Sequence, residues 1–330
     1  MKVQVLIAIT LVAIGCNNED VGPEGGNTVH LAGMIDNGTD GGLASYWKDG
    51  VYAALSDPTI ASKTTSLYVD GTNVWIGGYK WGNPTHGVIW RNGTEIKIDN
   101  SFAGRTLIAA RGDKIYAVWH DATLRWVFQK DNTTKQIIDT AYNFEPNSLA
   151  LLNEDMYTSG SSVDPISPDP ELGYTYQHAQ TWKNGQLIFR ESKVSYATSV
   201  FIYKNDIYMS GSLYDMNIPN TACYWKNGKR TDLTSESTNG IARSIFVTND
   251  HVYAAGMIND QAVYWTDGEP TFLTNEGVNS MCHDIFIHGD DVHVVGLKNG
   301  YPAYWKNDVQ QAIENQDKRG QIYFITVGSN

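Results

Sequence analysis

Positive charge is scarce in this chain: 24 lysines and arginines face 36 aspartates and glutamates, for a formal net charge of −12. No basic stripe of the kind a phosphate backbone requires can be drawn on it, which excludes nucleic acid as a partner. Cysteine is scarcer still, with Cys16, Cys223 and Cys282 alone. Three cannot build a disulfide framework, and none lies in a CxxC pair suited to metal or redox work. Cys223 and Cys282 read as small buried apolar residues. There is no nucleophile elbow, phosphate-binding loop or zinc-helix motif, and no metal spacing around the histidines, so neither metal nor cofactor is expected. No helical period runs anywhere, and no apolar run reaches the roughly 20 residues of a membrane span.

Aromatic and turn-forming residues are plentiful, with 10 Trp, 19 Tyr and 31 Gly. They suit pleated surfaces and tight turns. They are also written as a repeat. "ASYWKDGVYAAL" at Ala44 returns as "GVIWRNGTEIKI" at Gly87, "AQTWKNGQLIF" at Ala179, "ACYWKNGKRTDL" at Ala222, "AVYWTDGEPTFL" at Ala262 and "PAYWKNDVQQAI" at Pro302. "RWVFQKDNTTKQII" fills the one double gap, with Phe128 in the Trp place, which makes seven copies. A second phrase precedes each: "SIFVTNDHVYAAG" at Ser244 matches "SVFIYKNDIYMSG" at Ser199, "DIFIHGDDVHVVG" at Asp284, "SLALLNEDMYTSG" at Ser148 and "SLYVDGTNVWIGG" at Ser66. "LIAARGDKIYAVW" at Leu107 is the same phrase with Trp119 in the glycine place.

Each phrase is a β-hairpin in sequence: an apolar run, a polar turn, and a second run. Four short strands repeated seven times predict an all-β fold, a β-propeller of seven four-stranded blades. The ends support a ring. "NTVHLAGMID" aligns with the second strand only and "GQIYFITVGSN" with the first only, so the C-terminal strand is expected to pair with the N-terminal blade and close it. The recurrent aromatics, Trp47 to Trp305 in the third strands and His30, Trp75, Tyr116, Tyr157, Tyr208, Tyr253 and His293 in the second, are expected to pack blade against blade.

Three segments follow. Residues 1–16, "MKVQVLIAITLVAIGC", hold one lysine, an apolar run and a small residue before Cys16. This resembles the bacterial lipobox, which implies lipidation of Cys16, although Ala13 stands where that pattern favours Leu. An ordinary cleaved signal, leaving a periplasmic or secreted protein, is the alternative. Residues 17–27 form an acidic, Gly-rich tether. Glu19 and Asp20 within it resemble the signal that sends lipoproteins of Bacteroidota to the cell surface. Residues 28–330 are the propeller. Its tandem "VYAAG…AxYWKNG…L" phrases are similar to those of uncharacterised propeller-repeat lipoproteins of Bacteroidota. That resemblance implies an outer-membrane or cell-surface protein and assigns no catalytic residue.

Repeated residues serve packing, so a site belongs where blades differ. The loops between second and third strands are long in four blades, at 35–42, 79–87, 162–178 and 213–220, and short in the last two. They bring Trp81, His86, Tyr174, Tyr176, His178 and Tyr214 among carboxylates and amides, the chemistry of carbohydrate recognition, in which sugar faces stack on rings and hydroxyls bond to polar groups. At the start of the innermost strands stand Thr65, Thr106, Asn147, Thr198, Arg243 and His283, with Arg105 beside Thr106. Arg243 and His283 in neighbouring blades could hold an anion such as a uronate carboxylate. The expected function is a surface-anchored propeller that binds a glycan or a partner protein such as another envelope protein, without catalysis. A polysaccharide lyase or glycosidase using His283, Arg243 or loop tyrosines is the enzymatic alternative, and a non-catalytic envelope scaffold is the third.

Overall fold

The computed structural model describes residues 27–38, 41–82, 85–98, 105–112, 114–120, 126–130, 134–137, 144–168, 175–215 and 218–329. The signal segment, Cys16 and the tether up to residue 26 lie outside them. Every element described is a strand, and the strands form seven antiparallel four-stranded sheets around a central channel. Blade six shows the plan: Gly240–Val247 lines the channel, and Val252–Ile258, Gln261–Thr266 and Glu269–Phe272 follow outward by hairpins. Blades two to seven occupy residues 62–97, 107–137, 144–190, 195–232, 240–272 and 280–310.

Blade one is composite, as the two incomplete ends require. Its inner strand is the C-terminal Gly320–Ser329, which pairs antiparallel with Asn27–Ile35 from Gly320 opposite Ile35 to Ser329 opposite Asn27. The ring is thereby closed with no unpaired inner edge.

The aromatic columns are the mortar between blades. Trp47, Trp90, Trp225, Trp265 and Trp305 are fully buried, and Trp182 and Phe128 nearly so. Trp90 shares its apolar cluster with Ala32 and Ala44 of blade one, Trp225 with Ala179 of blade four, and Trp265 with Ala222 of blade five. The alanine three before the tryptophan, Ala44, Ala179 or Ala222, thus leaves room for the tryptophan of the following blade. Second-strand aromatics pack the other way. Trp75 clusters with Ile108 and Ala110 of blade three, and Tyr157 with Val200 and Ile202 of blade five.

The Asx-Gly turn carries more than a tolerance for positive φ. Asn227 and Gly228 have φ of 49° and 80°, the two left-handed values of a tight hairpin turn. Asn227 also accepts from the Ile207 amide through Oδ1 at 2.9 Å, while its own amide donates to the Ile207 carbonyl at 2.8 Å. The same reciprocal pair joins Asp49 with Val29, Asn92 with Val74, Asn184 with Met156, Asp267 with Val252 and Asn307 with Val292. The turn therefore fastens the second strand of its own blade.

The inner strands are not regular. In six blades the register with the second strand slips by one residue, and opposite each slip stands the glycine that ends the second repeat phrase: Gly33, Gly78, Gly160, Gly211, Gly256 or Gly296. A Cβ on Gly256 would overlap the Ile241 carbonyl oxygen, and one on Gly296 the Met281 carbonyl. Close approach of the bulged backbone is what demands glycine here. Blade three carries Trp119 in that place. Its pairing shows no slip, and its inner strand, Leu107–Arg111, is only five residues long.

Candidate binding site at the channel mouth

A β-bulge leaves one residue without a cross-strand partner and re-aims its side chain. The residues so freed are Thr65, Asn147, Thr198, Arg243, His283 and, on the closing strand, Tyr323. All six line a channel cavity of about 1060 Å³.

They fall into two groups. Thr65 Oγ1 donates to the Thr106 carbonyl at 2.7 Å, Asn147 Nδ2 to the Ala197 carbonyl at 2.6 Å, and Thr198 Oγ1 to the Ala242 carbonyl at 2.8 Å. Each of these ties its blade to the next. Arg243, His283 and Tyr323, in three consecutive blades, make no such bond to a backbone carbonyl, and His283 reaches the next blade only through the side chain of Gln321. The Nε of Arg243 is buried without a hydrogen-bond partner, the buried hydroxyl of Tyr323 has only the Gln321 side chain beside it and no acceptor for its proton, and His283 Nε2 sits 2.8 Å from Gln321 Oε1. Their blades are fastened instead by Asp284, which accepts from Ser244 Oγ at 2.5 Å and from the Ile325 amide at 2.9 Å, so that it links the inner strands of blades six, seven and one.

Further cations gather around this group. Lys63 sets its ammonium 4.6 Å from the centre of the Tyr323 ring, and the His283 and Tyr323 ring centres are 5.4 Å apart. Arg105 comes from the approach to blade three and lines the same cavity. Burial, then repulsion from Arg105 and Arg243, lowers the Lys63 pKa. Burial and then Arg105 do the same to Arg243, and burial lowers Arg105 against the opposing pull of Glu145. His283 is held at about 3 by burial and then by Arg243, and so is neutral at any physiological pH. Burial raises the Tyr323 phenol, which therefore keeps its proton and can donate it in a hydrogen bond.

The opposite side of the mouth, on blades four and five, is of another character. Tyr196 and Tyr214 are 38% and 41% exposed and meet edge to face with ring centres 6.2 Å apart. Gln177 and Asn220 bring amides to the same cavity, and Glu145 a carboxylate. The other carboxylates that line it are engaged elsewhere: Asp284 as above, and Asp70 by the Gly112 amide in the blade-two to blade-three contact.

The sequence-derived candidates separate accordingly. Tyr214, Arg243 and His283 line the cavity. Trp81, His86 and His178 do not. Trp81 is 37% exposed, edge-on to Tyr79 at 4.6 Å, and its ring would meet a Cβ on Gly41. It therefore lies on the rim, at the junction with blade one. His86 opens its strand opposite Lys80, half-buried. His178 is bonded through Nδ1 to the Glu191 carbonyl at 2.9 Å, which fixes the connection leaving blade four. Tyr174 lies outside the described residues, as does the side chain of Tyr176. The loops also differ from expectation. Most of 162–178 and 213–220 is strand: Asp155–Pro168 pairs with Thr175–Lys183 and Asp206–Asp215 with Ile218–Lys226. Prolines 165 and 168 fall where that first ladder slips, so it survives them. These elongated hairpins are what bring Gln177, Tyr214 and Asn220 to the channel. Lys63, Tyr196, Tyr323 and Gln321 were not singled out from the sequence. Aligning the closing strand "GQIYF" with the other inner strands would have placed Tyr323 in the column of Arg243 and His283.

No protein-family model matches this chain, and no curated protein matches it. Solved structures do. An acylaminoacyl peptidase of Pyrococcus horikoshii superposes with a TM-score of 0.51 at 13% identity, over 77% of this chain and 46% of that one. A puromycin-hydrolyzing peptidase of Mycobacterium tuberculosis gives 0.50 at 10% identity, over 78% and 46%. The propeller domain of the Trilobed protease of Pyrococcus furiosus gives 0.41 at 12%, over 76% and 97%. What is shared is the propeller fold. The chain spans less than half the length of either of the first two peptidases, and at these identities nothing of their chemistry carries over.

Proposed function

We propose that this chain is a surface-anchored propeller that binds a glycan at the mouth of its channel and performs no chemistry on it. The supporting observation is the exposed Tyr196–Tyr214 pair on the wall of a 1060 Å³ cavity, with Gln177 and Asn220 beside it. Apolar sugar faces stack on such rings, and amides bond to hydroxyls in either sense. The fully repeated residues are committed to packing and turns, which leaves this unrepeated wall for recognition.

The enzymatic reading has less behind it. A general base works best with a pKa near the working pH, and His283, at about 3, is a weak one. Glycosidases use two facing carboxylates, and among the described side chains Glu145 alone stands uncommitted at the mouth. The anchoring half of the proposal rests on residues 1–16, through a lipid on Cys16, and places the propeller at the outer membrane or cell surface.

The test is a glycan array probed with the body from residue 24, beside Tyr214→Ala and Tyr196→Ala. The reading expects a defined set of bound glycans, weakened roughly tenfold or more by either substitution. No signal, or signal that both variants retain, overturns it.

A further inference from the structure

Three of the six bulge residues, Thr65, Asn147 and Thr198, donate to a backbone carbonyl of the next blade, and three do not. Those three, Arg243, His283 and Tyr323, are larger and contiguous around the ring at the closing strand, and of them only His283 reaches the next blade, through the side chain of Gln321. In a protein of net charge −12, Arg243, Lys63 and Arg105 line the same channel mouth, where Glu145 attracts Arg105 and the other two lining carboxylates, Asp70 and Asp284, are held by hydrogen bonds. Arg243 presents a buried Nε and Tyr323 a buried hydroxyl whose proton, beside the Gln321 side chain, has no acceptor. Donors of this kind are costly to leave unpaired, and an oxyanion supplies what both lack.

We infer that Arg243, Lys63 and Tyr323, beside His283, form an anion subsite that receives the carboxylate of an acidic sugar residue. The inference rests on the glycan reading for the rest of the ligand: the acid group sits against blades six, seven, one and two, and the sugar body against Tyr196 and Tyr214 on blade five. A planar guanidinium fork suits a carboxylate, and the phenol adds a third donor. Arg105, in the same cavity, supplies the longer-range field. Because Tyr323 and Gln321 lie on the closing strand while Lys63 and Arg243 lie on either side of it, a bound anion bridges the joint that closes the ring.

The test is calorimetry on the body from residue 24 with matched trisaccharides ending in glucuronate or glucose, and in galacturonate or galactose, with inorganic sulfate and phosphate as further probes. An acid-terminated sugar should bind about tenfold or more tighter than its neutral counterpart, as charge-assisted bonds require. Arg243→Gln should erase that difference and leave neutral binding in place, Tyr323→Phe should reduce it, and Arg243→Lys should keep part of it. The acidic sugar should also raise the thermal midpoint of the wild type more than that of Arg243→Gln. Equal affinity for acidic and neutral sugars, with both sensitive to Tyr214→Ala, overturns the anion subsite and leaves the glycan reading standing. Sulfate or phosphate bound as tightly as the acidic sugar, and insensitive to Tyr214→Ala, supports the subsite and overturns the glycan reading. An Arg243→Gln variant of unchanged thermal midpoint that retains full preference for the acid also overturns the subsite.

Discussion

Lys63 lies with its ammonium 4.6 Å above the ring of Tyr323, which joins the innermost strand of blade two to the strand that closes the ring. The contact is the near edge of a one-sided cationic arc. Across the channel the wall is aromatic and amide-bearing, so the mouth has a direction, and a ligand with an acid at one end and a hydroxylated body fits it in one orientation.

The bulges that build this arc depend on glycine. Gly256→Ala places a methyl group onto the Ile241 carbonyl oxygen, which is backbone and has nowhere to yield. A loss of about 3 kcal/mol or more is expected, by the cost of overpacking a rigid core. Gly289→Ala meets no neighbour and bears only its positive φ, so about 1 kcal/mol is expected there. Urea denaturation of the two variants checks the contrast, and equal losses would remove the close-approach account.

The Asx-Gly turns give a graded series at Asn227. Asn227→Gly keeps the φ of the turn and loses the bond from the Ile207 amide and the exposed one to Asp206, for about 1 kcal/mol or more. Asn227→Ala loses the φ as well, for about 2 kcal/mol. Asn227→Asp retains the acceptor but sets a carboxylate against Asp206, to which the Asn227 amide donates at 2.7 Å, whereas Asp267 in its own blade meets His251, so a loss of about 1 kcal/mol or more is expected here too. Thermal unfolding should show all three variants below the wild type, with Asn227→Ala below Asn227→Gly.

Acid should weaken the fold below neutral pH. His30 and His293 are lowered by burial from 6.5 to about 4, and His283 to about 3, so between 6.5 and those values the unfolded chain takes up protons that the folded chain does not. Stability is then lost as pH falls through that window. Asp284 acts the other way. Burial raises it from 3.8 to about 6, so in that interval the folded state holds the extra proton and gains stability as pH falls. Urea midpoints from pH 7 to 4 should therefore fall more steeply in Asp284→Asn than in the wild type, and less steeply in a variant lacking His30 and His293.

The anchor is tested apart from the propeller. In a bacterial host that lipidates exported proteins, labelled palmitate should enter the full chain and should not enter Cys16→Ser. Equal labelling, or none in either, would return the chain to an ordinary exported protein.

Much of the fold was legible because repetition averages out local ambiguity. Trp225 alone could be core, ligand contact or chance, but seven copies at one place in the repeat make it mortar. The ring closure was legible from two fragments, "NTVHLAGMID" and "GQIYFITVGSN", that complete each other. The site was legible only in part. Arg243 and His283 stood out as odd members of a column. Lys63 and Tyr323 did not, since their meeting needs the ring to close and the register to slip at each glycine. The hairpin of blade four hid its strand character behind prolines 165 and 168 and that of blade five behind Pro219, and with it the reason that Tyr214 reaches the channel while His178 is turned to a backbone carbonyl.

The most direct measurement is a crystal structure of the body from residue 24 with the trisaccharide that gives the strongest array signal. The account predicts density in the channel mouth, with a sugar face on Tyr214 or Tyr196 and its acid group within hydrogen-bond distance of Arg243 and Tyr323. A sugar bound on the outer strands or at the rim by Trp81, with the channel mouth free, would contradict it.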